Sequence, residues 1–384
     1  MIFVKPDTTG FARLVLPLMM SSMLIACGGG SSSNSDSDED GDTGDESGFT
    51  ERTIDATSFT DFAYFNLDTG ETVDLSTADA AASTDWHISL RRTALALNGG
   101  DAGPGVVTGA IADSQDDFYN SDGSPNVSVF TNASPDSELN AINDVTDFSS
   151  LTFTTDTFAT NIIGDGTSDS WWLYESSSFS VLPNPDVWNL IRGANGDSYA
   201  KFNVTAIDQP NRGITLDLYI QGVADAGFAT TATQWTAAIG AAGGQLCYDI
   251  DTALEVDCTT AAATWDLLVE VTADGRGWNI WTNGGVYGEG TSGVSFGPLD
   301  QAGADSFVQG NPTDTFIAWG ADATSSVFDD WYAYNLQSQR RLWSNYRVYA
   351  IDTGDAQYKL QILSYYDPTT GTSGNYTIRY TELE

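Results

Sequence analysis

The residues of this sequence that could perform catalysis or ligate a metal ion are few. His87 is the only histidine, and only Cys247 and Cys258 accompany Cys27 as cysteines. A Ser-His-Asp triad or a zinc site would therefore have a single histidine to use, and no P-loop or dinucleotide-binding fingerprint stands between a strand and a helix. The carboxylate pair of a glycoside hydrolase stays open, because the chain has 53 acidic residues. We expect a protein that is not an enzyme, with no catalytic residues and no metal site.

The charge of the chain limits its partners. Only 14 Lys and Arg residues stand against 53 Asp and Glu, which gives a formal net charge of −39. Such a charge repels the phosphates of nucleic acids, so we expect no nucleic-acid partner.

The elements that must position these residues are strands. Beyond Phe49 the chain consists of short runs rich in Thr, Val, Ile, Tyr, Trp and Phe, separated by Gly, Asn and Asp. No segment has a long apolar period of 3.6 residues, so helices are predicted to be few and short. The sequence predicts an all-β fold built from antiparallel sheets.

Four blocks of sequence occur twice in the same order. The matched ranges are 64–77 with 247–260, 84–92 with 263–271, 169–175 with 329–335, and 188–207 with 346–365. Each copy also contains an Asn-Gly-Gly turn, at 98–100 and at 283–285. An internal repeat of this kind predicts two tandem domains of similar fold, 52–224 and 226–384.

The repeat assigns roles to His87 and to two cysteines. His87 matches Asp266, and a polar position that accepts either residue indicates a structural role, with ligation as the alternative. Cys247 and Cys258 lie symmetrically about a turn at 251–253, so we expect them to face each other across a hairpin and to form a disulfide after export. Their alternative is a two-cysteine metal site, for which other ligands are scarce.

The N-terminus has the pattern of a targeting segment. Lys5 and Arg13 precede an apolar run that is too short to span a membrane comfortably. The run ends in Leu-Ile-Ala-Cys at 24–27, which resembles the lipobox of bacterial lipoproteins. The resemblance implies a signal peptide at 1–26, a lipid anchor on Cys27, and an outer-membrane location facing the periplasm or the cell surface. The alternative to the lipobox is an ordinary secretory signal. Residues 27–51 are predicted to be an acidic Gly/Ser/Asp linker.

The repeated blocks resemble a known family. The segments YFNLDTGETVDL, DWHISLRRTALALNGG, DSWWLYE and YAKFNVTAI, and in the second copy WYAYN followed by YRVYAIDTGDAQYKLQILSYYDPTTGTSGNYTIRYTEL, are similar to the HmuY family of bacterial surface lipoproteins. The resemblance implies an all-β fold and the capture of haem for iron acquisition, in concert with an outer-membrane receptor. Characterised members hold the haem iron with axial side chains, which are paired histidines in the founding type.

This chain departs from the paired-histidine pattern. It has one histidine, and all four methionines, Met1, Met19, Met20 and Met23, lie in the signal segment. If haem is the cofactor, the candidates for the axial ligand are Tyr119, Tyr287 and His87. The candidates for binding its propionates are Arg91, Arg92, Arg340 and Arg341, whose alternative role is to pair with carboxylates on solvated strands.

Two functions remain from the sequence. The first is capture of haem or another porphyrin by a surface lipoprotein. The second is a surface module that binds a glycan or a protein without haem. Tryptophans that repeat between the copies, such as Trp171 and Trp331, are predicted to be core residues. Trp278 and Trp281 have no counterpart in the other copy and are the candidates for stacking on a sugar. Because they are three residues apart on a strand, we expect at most one of them to be exposed.

Overall fold

The computed structural model describes residues 48–312 and 317–383. Strands dominate these ranges and the helices are short, which confirms the predicted all-β class. No helix in this part of the chain is both long and apolar enough to cross a membrane. The predicted signal peptide, the lipidation site at Cys27 and most of the acidic linker lie outside the described residues.

The bounds of the elements follow the chain order. The strands are β1 (Thr50–Asp55), β2 (Ala63–Asn66), β3 (Glu71–Val73), β4 (Ile88–Arg91), β5 (Ala94–Leu97), β6 (Thr108–Asp113), β7 (Thr157–Ala159), β8 (Trp172–Glu175), β9 (Ser180–Pro183), β10 (Trp188–Arg192), β11 (Tyr199–Asp208), β12 (Gly213–Gln221), β13 (Thr233–Ala238), β14 (Gly244–Asp249), β15 (Leu254–Val256), β16 (Leu267–Val271), β17 (Trp278–Thr282), β18 (Val294–Leu299), β19 (Ala323–Ser325), β20 (Tyr332–Tyr334), β21 (Leu342–Ser344), β22 (Val348–Asp352), β23 (Gln357–Tyr366) and β24 (Ser373–Glu382). The helices are α1 (Thr77–Ala80), α2 (Val127–Asn132), α3 (Leu139–Asp144) and α4 (Gln301–Ser306), with 3₁₀ turns at Asp116–Phe118 and Leu336–Ser338.

The chain forms two compact units that are not its two consecutive halves. One, the contiguous unit, is Ala159–Ala323. The other, the split unit, joins the described residues up to Phe158 to those from Thr324 onward. The predicted division into 52–224 and 226–384 therefore differs from the observed one. The physical reason is strand pairing, because β12 and β13 form an antiparallel pair across the predicted boundary and β1 pairs with β24.

The two units share one strand order. In the split unit a five-stranded sheet has the order β1-β24-β23-β22-β6, and in the contiguous unit the order is β13-β12-β11-β10-β18. The four-stranded sheets are β3-β2-β4-β5 and β15-β14-β16-β17, and the separate hairpins are β20-β21 and β8-β9. Each strand of one unit that matches a strand of the other comes from the corresponding repeated sequence block or directly flanks that block. The contiguous unit thus has the topology of the split unit with its C-terminal blocks placed first.

Burial along the strands follows their place in the sheets. The edge strand β13 buries alternate residues, Trp235 and Ala237, because one face packs on the core and the other meets solvent. The central strands β11 and β23 are buried on both faces over most of their length. The repeated tryptophans lie in the cores as predicted, with Trp171 and Trp331 at most 2% exposed.

Matched lysines on the two central strands support short helices in both units. Lys201 on β11 donates a hydrogen bond of 3.1 Å from Nζ to the carbonyl of Ala304 in α4. Lys359 on β23 donates bonds of 3.0 Å to the carbonyls of Ile142 and Val145 at the end of α3. A cation at this end of a helix satisfies carbonyls that the helix leaves unpaired.

The predicted disulfide is present. Cys247 and Cys258 are bonded, and their Cα atoms are 5.3 Å apart. In the split unit the matched positions hold Tyr64 and Leu75, which pack in one apolar cluster with Trp86. The same cross-hairpin position is therefore covalent in one unit and apolar in the other.

Candidate functional site

His87 and Asp266 occupy the matched position in the two units and make the same contact. His87 is buried, and its Nδ1 accepts a hydrogen bond of 3.0 Å from the N–H of Leu67. Asp266 is buried, and its Oδ2 accepts one of 2.7 Å from the N–H of Ile250, which matches Leu67 in the repeat. Asp266 Oδ1 also accepts a bond of 2.7 Å from the N–H of Ala194. This geometry favours the structural interpretation of His87 over ligation, because a neutral ring whose Nδ1 accepts a hydrogen bond carries its proton on Nε2, which lies 3.9 Å from Asp68 Oδ2.

Two further carboxylates make matched contacts that the sequence did not reveal. Asp156 Oδ2 accepts a hydrogen bond of 2.7 Å from the N–H of Leu97, and Asp322 Oδ2 accepts one of 2.7 Å from the N–H of Thr282. Both backbone groups directly precede the Asn-Gly-Gly turns. No sequence signal marked the two aspartates, because the short segments that contain them share no apolar pattern.

Burial raises the pKa of these carboxyls. It brings the pKa of Asp156 and of Asp266 to about 7 and raises that of Asp322. Accepted backbone hydrogen bonds oppose the shift in each case. Burial lowers the pKa of His87, against the carboxylates of Asp68 and Asp355.

Stability is expected to fall as the pH rises from about 4 to about 7, because the pKa of Asp156 and Asp266 in the folded state, about 7, exceeds the ordinary value of 3.8. The folded state then binds more protons than the unfolded state in this interval, at a cost of up to about 1.4 kcal/mol per pH unit for each carboxyl. The lowered pKa of His87 makes stability rise with pH below pH 6.5, but His87 is a single group.

Urea unfolding at pH 5 and pH 8, at constant ionic strength, measures this dependence. In Asp266→Asn the slope should lose the share of one carboxyl, while overall stability also falls because an amide cannot accept both backbone hydrogen bonds. A wild-type protein that becomes more stable between these two pH values would contradict the assignment.

Three carboxylates of the contiguous unit lie close together at the turn after β14. Oxygen atoms of Asp249, Asp251 and Asp266 are all within 4.8 Å of one another. Asp249 Oδ1 accepts hydrogen bonds from the N–H groups of Asp251 and Thr252, at 2.8 and 3.1 Å. With Asp266 holding Ile250, two of the three carboxylates are used in shaping the turn.

The two tyrosines predicted as axial candidates lie within aromatic packing. The Tyr119 hydroxyl accepts a hydrogen bond of 3.1 Å from Asn345, and its ring lies edge-on to Phe130 at 5.6 Å. The Tyr287 ring lies 4.5 Å from that of Trp281. The two tyrosines belong to different units, so they do not form a ligand pair within one unit.

The first arginine pair is used inside the split unit. The Arg92 guanidinium donates hydrogen bonds of 2.9 Å to the carbonyl and to the hydroxyl of Ser373. That of Arg91 stacks on Phe62, 4.2 Å from the ring centre. Arg92 in particular ties the turn after β4 to β24, so its donors are directed into the protein.

Arg341 of the second arginine pair lines a cleft in the split unit, and Arg340 lines only the depression beside it. The cleft holds about 140 Å³ and is lined by Phe130, Arg341, Trp343, Tyr365 and Tyr366 among others. A more open depression of about 600 Å³ adjoins it and shares Arg341 and Tyr366. Sequence reasoning identified the arginines here but missed the aromatic residues.

The cleft combines stacked rings with hydrogen-bond donors. The Arg341 guanidinium lies 4.7 Å from the ring centre of Tyr366 and 5.2 Å from that of Trp343. In the part of the chain that the structure describes, the buried Trp343 Nε1 donor has no hydrogen-bond partner. Aromatic faces beside a guanidinium suit a flat ligand that carries negative charge.

The tryptophans predicted as sugar-stacking candidates are both buried. Trp278 is 1% and Trp281 is 3% exposed. The Nε1 of Trp278 donates to the carbonyl of Gly275 at 2.9 Å, and that of Trp281 donates to Glu270 at 3.1 Å. The prediction that one of them stacks on a ligand is wrong, because both rings are buried and both ring N–H groups are satisfied within the unit.

The two units define an all-β class of protein, and the split unit carries a candidate binding cleft lined by aromatic residues and Arg341. Residues 58–218 match the HmuY family, described as HmuY protein, so the resemblance found in the sequence is confirmed over this range. The match runs in chain order through the first copy of the repeated blocks and includes residues of both units. It does not confirm a second, tandem copy.

A comparison of this chain with curated proteins finds no match. A Bacteroides fragilis lipoprotein structure gives a TM-score of 0.28 at 10% identity, covering 87% of this chain and 89% of that chain. A Bacteroides vulgatus HmuY-like heme binding protein gives 0.28 at 9%, covering 87% and 91%. The apo HmuY analogue of Tannerella forsythia gives 0.27 at 9%, covering 86% and 94%. At these TM-scores we draw no argument from the three structures.

Proposed function

We propose that this protein is a lipid-anchored ligand-binding protein of the bacterial surface, with haem or a related porphyrin as its first candidate ligand. The observation that carries the proposal is the HmuY match over residues 58–218. The role is binding and not catalysis. Anchoring through Cys27 in the outer membrane, and delivery to an outer-membrane receptor for iron acquisition, belong to the same proposal.

The residues of the cleft fit the organic part of a porphyrin better than its iron. Trp343 and Tyr366 offer aromatic faces, and Arg341 offers a cation for a propionate. The cleft of about 140 Å³ is smaller than the roughly 300 Å³ at which small-molecule pockets begin, so a porphyrin would lie partly in the more open depression beside it.

Iron ligation is not supported by the candidate residues. His87 uses Nδ1 on a backbone N–H, and Tyr119 packs behind Phe130 without lining the cleft itself. Tyr346 lines the cleft, but burial raises its pKa to about 12, which keeps its hydroxyl protonated. The proposal therefore rests on stacking and charge, and not on an axial bond from His87, Tyr119 or Tyr346.

The test is a titration of the purified mature protein with haemin and, separately, with metal-free protoporphyrin IX. Absorbance and tryptophan fluorescence report binding. We expect the two ligands to bind with affinities within about threefold of each other, because iron contributes no bond, and we expect no spectrum of six-coordinate low-spin haem. The absence of any spectral change at micromolar porphyrin would remove porphyrin capture.

The second candidate function is a surface module that binds a non-haem ligand. It is favoured by the same observation that weakens iron ligation, namely a cleft with rings and an arginine but no free imidazole. Because Trp278 and Trp281 are buried, a glycan or peptide would have to contact the cleft at Arg341 instead.

A further inference from the structure

We propose that the connection between β20 and β21, with the aromatic residues beside it, is a recognition site for a carboxylate carried on a ring that can stack, and that the split unit alone supplies it. The site consists of Arg340, Arg341, Trp343 and Tyr366. The inference deepens the proposed ligand capture and rests on it for the assumption that the cleft binds a small molecule. It states that the anionic group of the ligand contributes to the binding affinity.

The first observation is that these arginines are uncommitted in a strongly acidic protein. Arg340 and Arg341 are exposed, and no hydrogen bond or ion pair of either guanidinium is found among the described residues. Asp367 lies on the rim of the depression. Its Oδ1 accepts hydrogen bonds from the N–H groups of Thr369 and Thr370 at 2.9 and 2.6 Å, so it is used in a turn.

The second observation is that the aromatic residues hold Arg341 at the opening. The Tyr366 hydroxyl accepts a hydrogen bond of 3.0 Å from the N–H of Leu342, which orients the ring against the guanidinium. The Trp343 ring centre lies 5.2 Å from the same guanidinium, and its buried Nε1 has no hydrogen-bond partner among the described residues. A carboxylate in the cleft would receive charge-assisted bonds from a guanidinium that is already oriented.

The third observation concerns the backbone that presents the arginines. Asn335, Gln337, Ser338 and Arg340 all have positive φ, between 50° and 59°. Asn335 Oδ1 accepts a hydrogen bond of 2.8 Å from the N–H of Arg340 and so stabilises this conformation. Several left-handed non-glycine residues in one short connection carry a cost in strain, and such strain concentrates at binding sites.

The contiguous unit provides an internal comparison. By strand register, Ser180 and Leu182 stand at the positions of Arg341 and Trp343. The same topology therefore forms without the cation and without the indole ring. The fold does not require Arg341 or Trp343, which points to a role in binding.

The ligand chemistry is a carboxylate on a ring that can stack. Two sources supply it, a porphyrin propionate and the uronic acid of an acidic sugar. The cleft of about 140 Å³ suits the edge of such a ring, and the depression of about 600 Å³ leaves room for the remainder.

The experiment compares the full mature chain with Arg341→Gln, Arg341→Lys and, as a matched control for the charge change, Arg276→Gln, whose exposed arginine lies in the contiguous unit. The probes are protoporphyrin IX, its dimethyl ester, and a glucuronate oligosaccharide with its methyl ester. Thermal melting checks that each variant is folded.

We expect Arg341→Gln to weaken binding of the free acid by roughly tenfold or more, the size of one charge-assisted bond. Arg341→Lys should recover part of the affinity, and Arg276→Gln should change it less than about twofold. The ester should bind the wild-type protein as weakly as the acid binds Arg341→Gln.

The outcomes separate this inference from the proposed function. Porphyrin binding that Arg341→Gln leaves unchanged overturns the inference and keeps porphyrin capture. Glucuronate binding that depends on Arg341, with no porphyrin binding, supports the inference and removes porphyrin capture. Binding of neither acid overturns both.

Discussion

A fragment of residues 159–323, expressed alone under oxidising conditions, is expected to fold cooperatively, whereas a fragment of nearly equal length, 226–384, is not. The first contains every strand of the sheet β13-β12-β11-β10-β18 and the disulfide Cys247–Cys258. The second separates β13 from β12 and removes β1 and β6 from β24 and β22. Circular dichroism with thermal melting, and the dispersion of amide resonances, measure the difference.

The size of the effect follows from the cores. The large apolar cluster of the contiguous unit draws all its members, from Ile162 to Ile280, from within the fragment. The corresponding cluster of the split unit draws Ile54, Phe65 and Leu97 from the N-terminal part, which 226–384 lacks. A cooperative transition in 226–384 that matches 159–323 would restore the tandem division predicted from the sequence.

Asn283→Ala is expected to destabilise the protein by about 3 kcal/mol or more, at roughly 1–3 kcal/mol for each buried partner left unpaired. The side chain is fully buried, and its Nδ2 donates to the carbonyls of Ala262 and Trp265 at 2.9 and 2.7 Å. Its Oδ1 accepts from the N–H of Gly290 at 2.7 Å. Urea unfolding followed by tryptophan fluorescence measures the loss.

Two variants bracket this expectation. Asn98→Ala should have a similar effect, because Asn98 donates to Ser83 and Trp86 and accepts from Gly105 in the split unit. Asn211→Ala should cost less than about 1 kcal/mol, since its side chain is exposed and contacts only Asp208. A loss below about 1 kcal/mol for Asn283→Ala would show that water replaces the three bonds and that the turn does not depend on them.

Local chemistry and repetition in the sequence determined several features correctly. The alternation of short apolar runs predicted strands, and the matched tryptophans predicted core residues such as Trp171 and Trp331. The symmetry of Cys247 and Cys258 about one turn predicted their bond. These features depend on neighbours within a hairpin, and hairpin partners are close in the sequence.

The tertiary structure alone decided which copies of the repeated strands pair. The alternation of apolar and polar residues shows which side chains share a face of a strand, but it does not show which distant strand completes the sheet. The pairing of β24 with β1 is therefore known only from the folded chain. The same limit applies to the arginines. Arg92 donates hydrogen bonds to Ser373, which lies far along the chain. Arg341 lies at an open cleft beside Trp343 and Tyr366. Availability for a ligand depends on non-local contacts, which residue type and spacing do not encode.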